Sequence, residues 1–160
     1  MLLRLLHIDF LDGFVMTSSR FAVGVHILAL LQEGGGEPVT SEYIAGSVNT
    51  NPAVVRRILS MLAEAGITTS RLGAGGGALL ARPASGITLL EVFKAVEGCE
   101  IFAMHRGEPN QACPVGRHIR SVLEEVTGAA QRALEAELGD RTVSDVVQGV
   151  KSHDRVTPAS

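Results

Sequence analysis

Between Thr40 and Pro83 the spacing of hydrophobic and polar residues changes from one element type to another several times. Ile44, Ala45 and Val48 recur at helical spacing behind Thr40 or Ser41, either of which suits a helix N-cap, and they predict a helix to about Val48. Asn49 and Thr50 make a turn. Pro52 fits the first position of a second helix, where its missing N–H would be unpaired anyway, with Asn51 or Thr50 as the cap. Val55, Ile58, Leu59 and Leu62 form the apolar face of this helix, and Asn51, Ala53, Arg56, Arg57 and Ser60 fall largely on the other side. The helix stops at Gly66. Ile67 to Ser70 then reads as a short strand, Gly73 to Gly77 as its turn and Ala78 to Ala81 as the return strand. Two helices across a tight turn, followed by a glycine-tipped hairpin, are the layout of a winged helix-turn-helix.

Ahead of this unit, Ser18 or Ser19 caps a helix to about Gln32 with an apolar repeat of Phe21, Val25, Leu28 and Leu31, and residues 34–38 form a loop. His26, alone on that helix, receives no role. Beyond the hairpin, Thr88 caps a helix from Leu89 to Val96, with Leu90, Val92, Phe93 and Val96 available for packing. Residues 97–112 are rich in Gly, Pro and Asn and read as a loop. Pro114 opens a long helix to about Leu138, in which Ile119, Val122, Val126, Ala129 and Ala133 follow spacings of three and four, with Leu123, Ala130, Leu134 and Leu138 beside them. Such a two-sided apolar surface predicts that one side covers its own domain and the other meets a second copy; a long core helix in a monomer is the alternative. Thr142 caps a last helix to Val147, and residues 151–160 read as a disordered tail. The expected fold is mainly α with a small β-hairpin wing: a winged helix-turn-helix domain over 16–83, then a connecting helix, loop and dimerisation helix over 84–150.

This arrangement points to DNA. A second helix that crosses the first after a short turn can enter the major groove with its N-terminal residues on base edges. There Arg suits guanine O6 and N7, and Asn suits adenine N6 and N7. The glycines of the wing, flanked by Arg71 and Arg82, suit a phosphate backbone. The candidate DNA-binding residues are therefore Thr50, Asn51, Arg56, Arg57, Arg71, Gly75, Gly76 and Gly77. A solvated helix face carrying two charges is the competing reading of the arginines. Residues 73–78 also match a G-x-G-x-x-A fingerprint, but Pro83 and Gly86 follow where a nucleotide-binding fold requires a helix, and no Lys-Ser or Lys-Thr completes a phosphate loop.

Composition narrows the class. With 4% aromatic residues and no Trp, the chain is a poor base-stacking platform for single strands. A net charge of −3 argues against a generic basic coating protein. The charge is uneven, since residues 16–83 hold five basic and four acidic side chains and residues 84–160 hold eight and eleven. No Ser-His-Asp arrangement or paired-carboxylate motif is present, so an enzyme is not expected. Residues 1–15 are apolar but broken by Arg4, His7, Asp9 and Asp12, too short to span a membrane and without a cleavage signal, which predicts a cytoplasmic protein.

In their order, SSRFAVGVHILALL, NPAVVRRILSMLAEAGI, SRLGAGGGALLARP and ITLLEVFKAVEG resemble the Rrf-two family of bacterial winged-helix transcriptional regulators, which includes the iron-sulfur assembly regulator and the nitric-oxide-sensitive repressor. The match runs from about Met16 to Val147, so residues 1–15 are either a mis-called start or an added amphipathic helix. The resemblance implies a homodimer that binds a double-stranded operator through the second helix and the wing, most simply as a repressor. A protein-interaction module on the same scaffold is the alternative. Family members that carry an iron-sulfur cluster have three cysteines near the loop; this chain has two, Cys99 and Cys113, with no C-x-x-C, so no cofactor is expected. Cys113, immediately before Pro114, is either a sensing thiol at a helix N-terminus, with Cys99 as resolving partner, or a small capping or packed residue.

Overall fold

The structure, a computed structural model, describes residues 18–98 and 101–156. The expectations for residues 1–15, Cys99 and residues 157–160 lie outside it. In chain order the elements are α1 (Arg20–Glu33), α2 (Ser41–Val48), α3 (Pro52–Glu64), β1 (Thr68–Arg71), β2 (Gly77–Leu80), a single 3-10 turn (Ala84–Gly86), α4 (Leu89–Glu97), α5 (Pro114–Gly139) and α6 (Val143–Val156).

α1 runs through the middle of the core. Its expected stripe was Phe21, Val25, Leu28 and Leu31, but Gly24, Ile27, Leu28 and Leu31 are the buried residues, because the helix is covered on more than one side. A Cβ at Gly24 would meet Val92 and Val96 of α4 and Ile58 of α3 at 3.5–3.8 Å, so the glycine brings three helices together. Phe21 and Phe93 add an edge-to-face contact at 5.7 Å between ring centroids. The rest of the core comes from Ile44, Val55, Ile58, Leu62, Ile67, Ile87, Val92, Val96 and Val143. Fully buried aliphatic side chains of this kind contribute about 1.5–3 kcal/mol each, more than any single cap or surface ion pair. The same cluster draws on both sides of residue 83, where a boundary was expected.

β1 and β2 pair antiparallel from Thr68 opposite Leu80 to Arg71 opposite Gly77, one residue later in β1 and one earlier in β2 than expected. Ala78 also pairs on its other side with Val39, with N–H to O distances of 3.0 and 2.8 Å in the two directions. This one-pair bridge lies just past the loop expected over residues 34–38. Gly77 permits it, since a Cβ there would lie 2.5 Å from the Val39 carbonyl oxygen.

α4 is fixed at its start by a full capping box: Thr88 Oγ1 accepts from the Glu91 N–H, and Glu91 accepts from the Thr88 N–H. Thr142 and Asp145 repeat the arrangement at α6. The two starts are tied together, since the Leu89 N–H donates to the Arg141 carbonyl at 2.8 Å and the Val143 N–H to the Ile87 carbonyl at 3.0 Å. α6 continues to Val156, which corrects the expectation of a tail from residue 151. Lys151 pairs with Glu33 of α1 at 2.9 Å, and Ser152 and His153 bond back to the Gly149 carbonyl, so the added turns are tethered.

Candidate nucleic-acid interface

Local chemistry sets the geometry of α2 and α3. Thr40 caps α2 by accepting from the Tyr43 N–H. Asn49 then adopts the left-handed conformation, with φ 56° and ψ 53°, and reverses the chain. Asn51 caps α3, its Oδ1 accepting from the Ala53 N–H at 2.8 Å, and Pro52 occupies the first helical position. Val55, Ile58 and Leu62 are buried, Leu59 is half-buried, and Ala53, Arg56, Arg57 and Ser60 are exposed, as the helical period predicts.

The DNA-binding candidates occupy different situations. Thr50 is half-buried in the turn, where its N–H bonds to the Ala45 carbonyl. The side-chain oxygen of Asn51 is engaged in the cap, so a bidentate contact with adenine would cost that cap. Arg56 is held by Glu42 of α2, Nη1 to Oε1 at 3.1 Å. Its neighbour Arg57 is exposed, with no ion pair among the described residues. Arg71 is exposed where the wing begins. Gly75 is in the wing turn with φ +74°, whereas Gly76 and Gly77 are glycine because a Cβ would run into the Arg71 carbonyl and into Val39 respectively. Those two glycines shape the wing from inside. Arg82, expected beside the wing, is spent internally: it pairs with Glu91 at 2.7 Å and donates to the Gly86 carbonyl.

Four exposed residues around the interface escaped the sequence reading. Tyr43 on α2, Val54 on α3 and Leu72 at the wing tip expose 65%, 44% and 90% of their surface. Periodicity assigns apolar residues to cores by default, which hides exposed apolar residues of this kind. Glu42, the fourth, reaches its partner across the turn between two helices, a relation no single-helix period reveals.

α5 has a different character. None of its 26 residues is buried. Ile119 is half-buried, while Val122, Val126, Ala129 and Ala133 are exposed, joined by Val115 and partly by Leu134. The side facing the rest of the chain is mixed rather than the second apolar stripe expected: Leu123, Thr127, Gln131, Glu135 and Leu138 are half-buried and Ala130 is exposed. Polar ties supplement this contact, with Gln131 accepting from the Ile101 N–H at 3.3 Å and Lys94 approaching Glu135 at 3.8 Å.

Comparison with known proteins places the whole arrangement. Residues 17–149 match the family model Rrf2, described as an iron-dependent transcriptional regulator. The chain belongs to the Rrf2 family. It is 48% identical over 133 residues to YwnA of Bacillus subtilis (strain 168), which is named as an HTH-type transcriptional regulator; the match covers 82% of this chain and 97% of that one. A crystal structure described as that of a DNA-binding protein is 45% identical, covers 80% of this chain and 98% of its own, and superposes with a TM-score of 0.64. The fold is also that of CymR, the global cysteine regulator of Bacillus subtilis, at 22% identity and TM-score 0.63, covering 82% of this chain and 95% of that one. The chain is thus a transcriptional regulator of the winged-helix type. Among the described residues no group of three or more His, Cys, Asp or Glu side chains converges, and two cysteines cannot supply three thiolates. Among the same residues no helix is long and apolar enough to cross a membrane.

Cys113 is the N-cap residue of α5, exposed and free, with no cap bond from its side chain. Its surroundings are tight. A Cβ at Gly116 would run into the Asn110 backbone, the Cys113 N–H bonds to the Asn110 carbonyl at 3.1 Å, and Arg117 Nε bonds to the Gln111 carbonyl at 3.1 Å.

Proposed function

We infer that the protein acts as a cytoplasmic homodimer that binds a double-stranded operator through the N-terminal half of α3, with the wing on the phosphate backbone, and represses by excluding polymerase. The outward face of α3 carries this reading: Arg56, Arg57, Ala53, Val54 and Ser60 stand exposed on a helix whose opposite face is fully committed to the core. Arg56 and Arg57 meet base edges or phosphates, Val54 offers methyl groups to thymine, and Arg71 takes a phosphate. The relatives named as regulators and as a DNA-binding protein support the same reading. A second copy covers Val122, Val126, Ala129 and Ala133 of α5, where the alanines permit close approach of two helices. Two-fold symmetry then presents a pair of recognition helices to half-sites about 34–36 Å apart.

With few arginines facing DNA, the salt dependence is shallow. Arg56→Ala weakens a duplex selected by the parent by about 1–3 kcal/mol if the arginine reads a base. Arg71→Ala weakens all sequences alike and lowers the salt slope by about one. Fluorescence anisotropy from about 50 to about 200 mM salt separates the two patterns. If both variants bind as the parent does, the scaffold serves protein contacts instead.

The signal enters at Cys113, exposed where residues 98–113 join α5. An oxidised or alkylated sulfur at this exposed helix start, beside the Asn110–Cys113 and Gln111–Arg117 bonds, displaces the loop from α5 and alters the spacing of the two reading helices. Peroxide treatment is expected to reduce operator binding of the parent and leave Cys113→Ser unaffected. Oxidant-insensitive binding by the parent ends this part of the reading and leaves DNA binding intact.

A further inference from the structure

We propose that Glu42 is a specificity-determining residue: it positions Arg56 toward a base edge and withholds it from phosphates. The proposal rests on the reading of α3 as the DNA-contacting helix.

The two arginines of α3 are sequence neighbours, both exposed, yet only one is held. Arg56 Nη1 lies 3.1 Å from Glu42 Oε1 in the first turn of α2, with both side chains more than half exposed at 58% and 68%. An exposed pair of this kind adds little to folding stability. Its effect falls on what Arg56 does next. An unpaired guanidinium is attracted to every phosphate within reach, whatever the sequence, and that attraction carries no information. A carboxylate beside it offsets much of that charge. The contact engages only Nη1, so the Nε and Nη2 donors stay available as a parallel pair, the geometry that matches guanine O6 and N7. Holding the side chain also removes part of its rotational freedom before binding, which favours the one contact that fits the held orientation. The carboxylate itself repels the backbone, which penalises any docking that brings α2 too close to phosphates. Arg57, without such a partner, remains a general anchor. One helix thereby carries a reading arginine and a gripping arginine side by side.

The test uses the full-length protein and two probes: the duplex most enriched by the parent from a random library, and a scrambled duplex of the same length and composition. Affinities are measured for the parent, Glu42→Gln, Arg56→Gln and the double variant across a salt series. In the parent background, Glu42→Gln is expected to tighten the scrambled duplex about two- to fivefold, to steepen the salt slope by about one, and to lower the selected-to-scrambled ratio by about threefold or more. In the Arg56→Gln background the same change should leave the ratio unaltered. A library selection repeated with Glu42→Gln should turn one parental guanine position in each half-site degenerate. An unchanged ratio, or an equal change in both backgrounds, shows that Glu42 is only a surface charge and overturns the proposal while the DNA reading stands on the Arg56→Gln result. A parent that enriches no duplex overturns both.

Discussion

α3 and α5 are both amphipathic, and they end in opposite situations. In α3 the apolar face is consumed inside its own chain by Val55, Ile58 and Leu62, so its polar face is what is left for other molecules. α5 is twice as long, 26 residues against 13, and buries none of them; Val122 and Val126 remain 54% and 62% exposed. What is left over in α5 is the apolar side. The same kind of sequence pattern therefore reports two different things, and only the satisfied or unsatisfied state of the apolar face tells a helix spent on its own core from one whose apolar side is still uncovered.

Paired substitutions break or sharpen this contrast. Leu62→Ala is expected to cost about 2–5 kcal/mol in chemical unfolding, because it opens a cavity among fully buried neighbours. Val126→Ala, measured at concentrations where the chain is dissociated, should change stability by less than about 0.5 kcal/mol. Ala129→Glu should leave the fold intact and halve the sedimenting mass, since it puts an unpaired charge on the joining face. Equal stability costs for Leu62 and Val126 would dissolve the distinction between the two helices.

A smaller effect tests the wing. Gly77→Ala forces a Cβ against Val39 and is expected to cost about 1–3 kcal/mol. Amide exchange at Ala78, whose N–H bonds to the Val39 carbonyl at 2.8 Å, should accelerate in that variant. Unchanged protection there would show that the Val39 bridge contributes nothing to the wing.

The smallest effect concerns Glu97, the last residue of α4, which caps α1 from outside by accepting from the Phe21 N–H at 3.0 Å and from Arg20 at 2.9 Å. Burial alone would raise its pKa, but the hydrogen bonds from Ser18, Phe21 and Arg20 and the Arg20 charge hold it below the ordinary 4.5. Glu91 is held low by the Thr88 N–H above all. A carboxylate whose folded pKa is depressed stabilises fully above its unfolded value and loses that contribution as pH falls through the folded one. Glu97→Gln should therefore cost about 1 kcal/mol at neutral pH and progressively less as pH falls through the depressed folded pKa of Glu97. Urea titrations at a series of pH values check the convergence; parallel acid limbs for parent and variant would refute it.

The elements legible in the sequence are those whose signals are local. Thr40, Asn51, Pro52 and Thr88 set helix starts through contacts within three residues, and all four act as expected. Relations across the chain were not legible. Val39 joins the wing through one residue pair, too short to show alternation. Lys151 meets its partner Glu33 in α1, far away in sequence, so composition alone made that stretch look like a tail. At the interface, residue types were readable but their availability was not: Arg82 and Arg56 look alike in sequence, yet Arg82 is tied into the α4 cap and Arg56 is held by an exposed carboxylate.

The bridge between the starts of α4 and α6 has a consequence for how the molecule can be cut and moved. Because Val143 and Val147 return to the core after α5 has left it, α5 is anchored at its far end by Arg141 and Thr142 as well as through its own packing on α4. It is a girder bolted at its base rather than a pole on a hinge. A fragment ending at Gly139 would lose Val143 and Val147 from its hydrophobic interior, so a stably folded piece has to include α6. In the proposed dimer, a shift between subunits would carry each α3 with it, because α5 is fixed to the core at both the α4 contact and the Arg141–Leu89 bond.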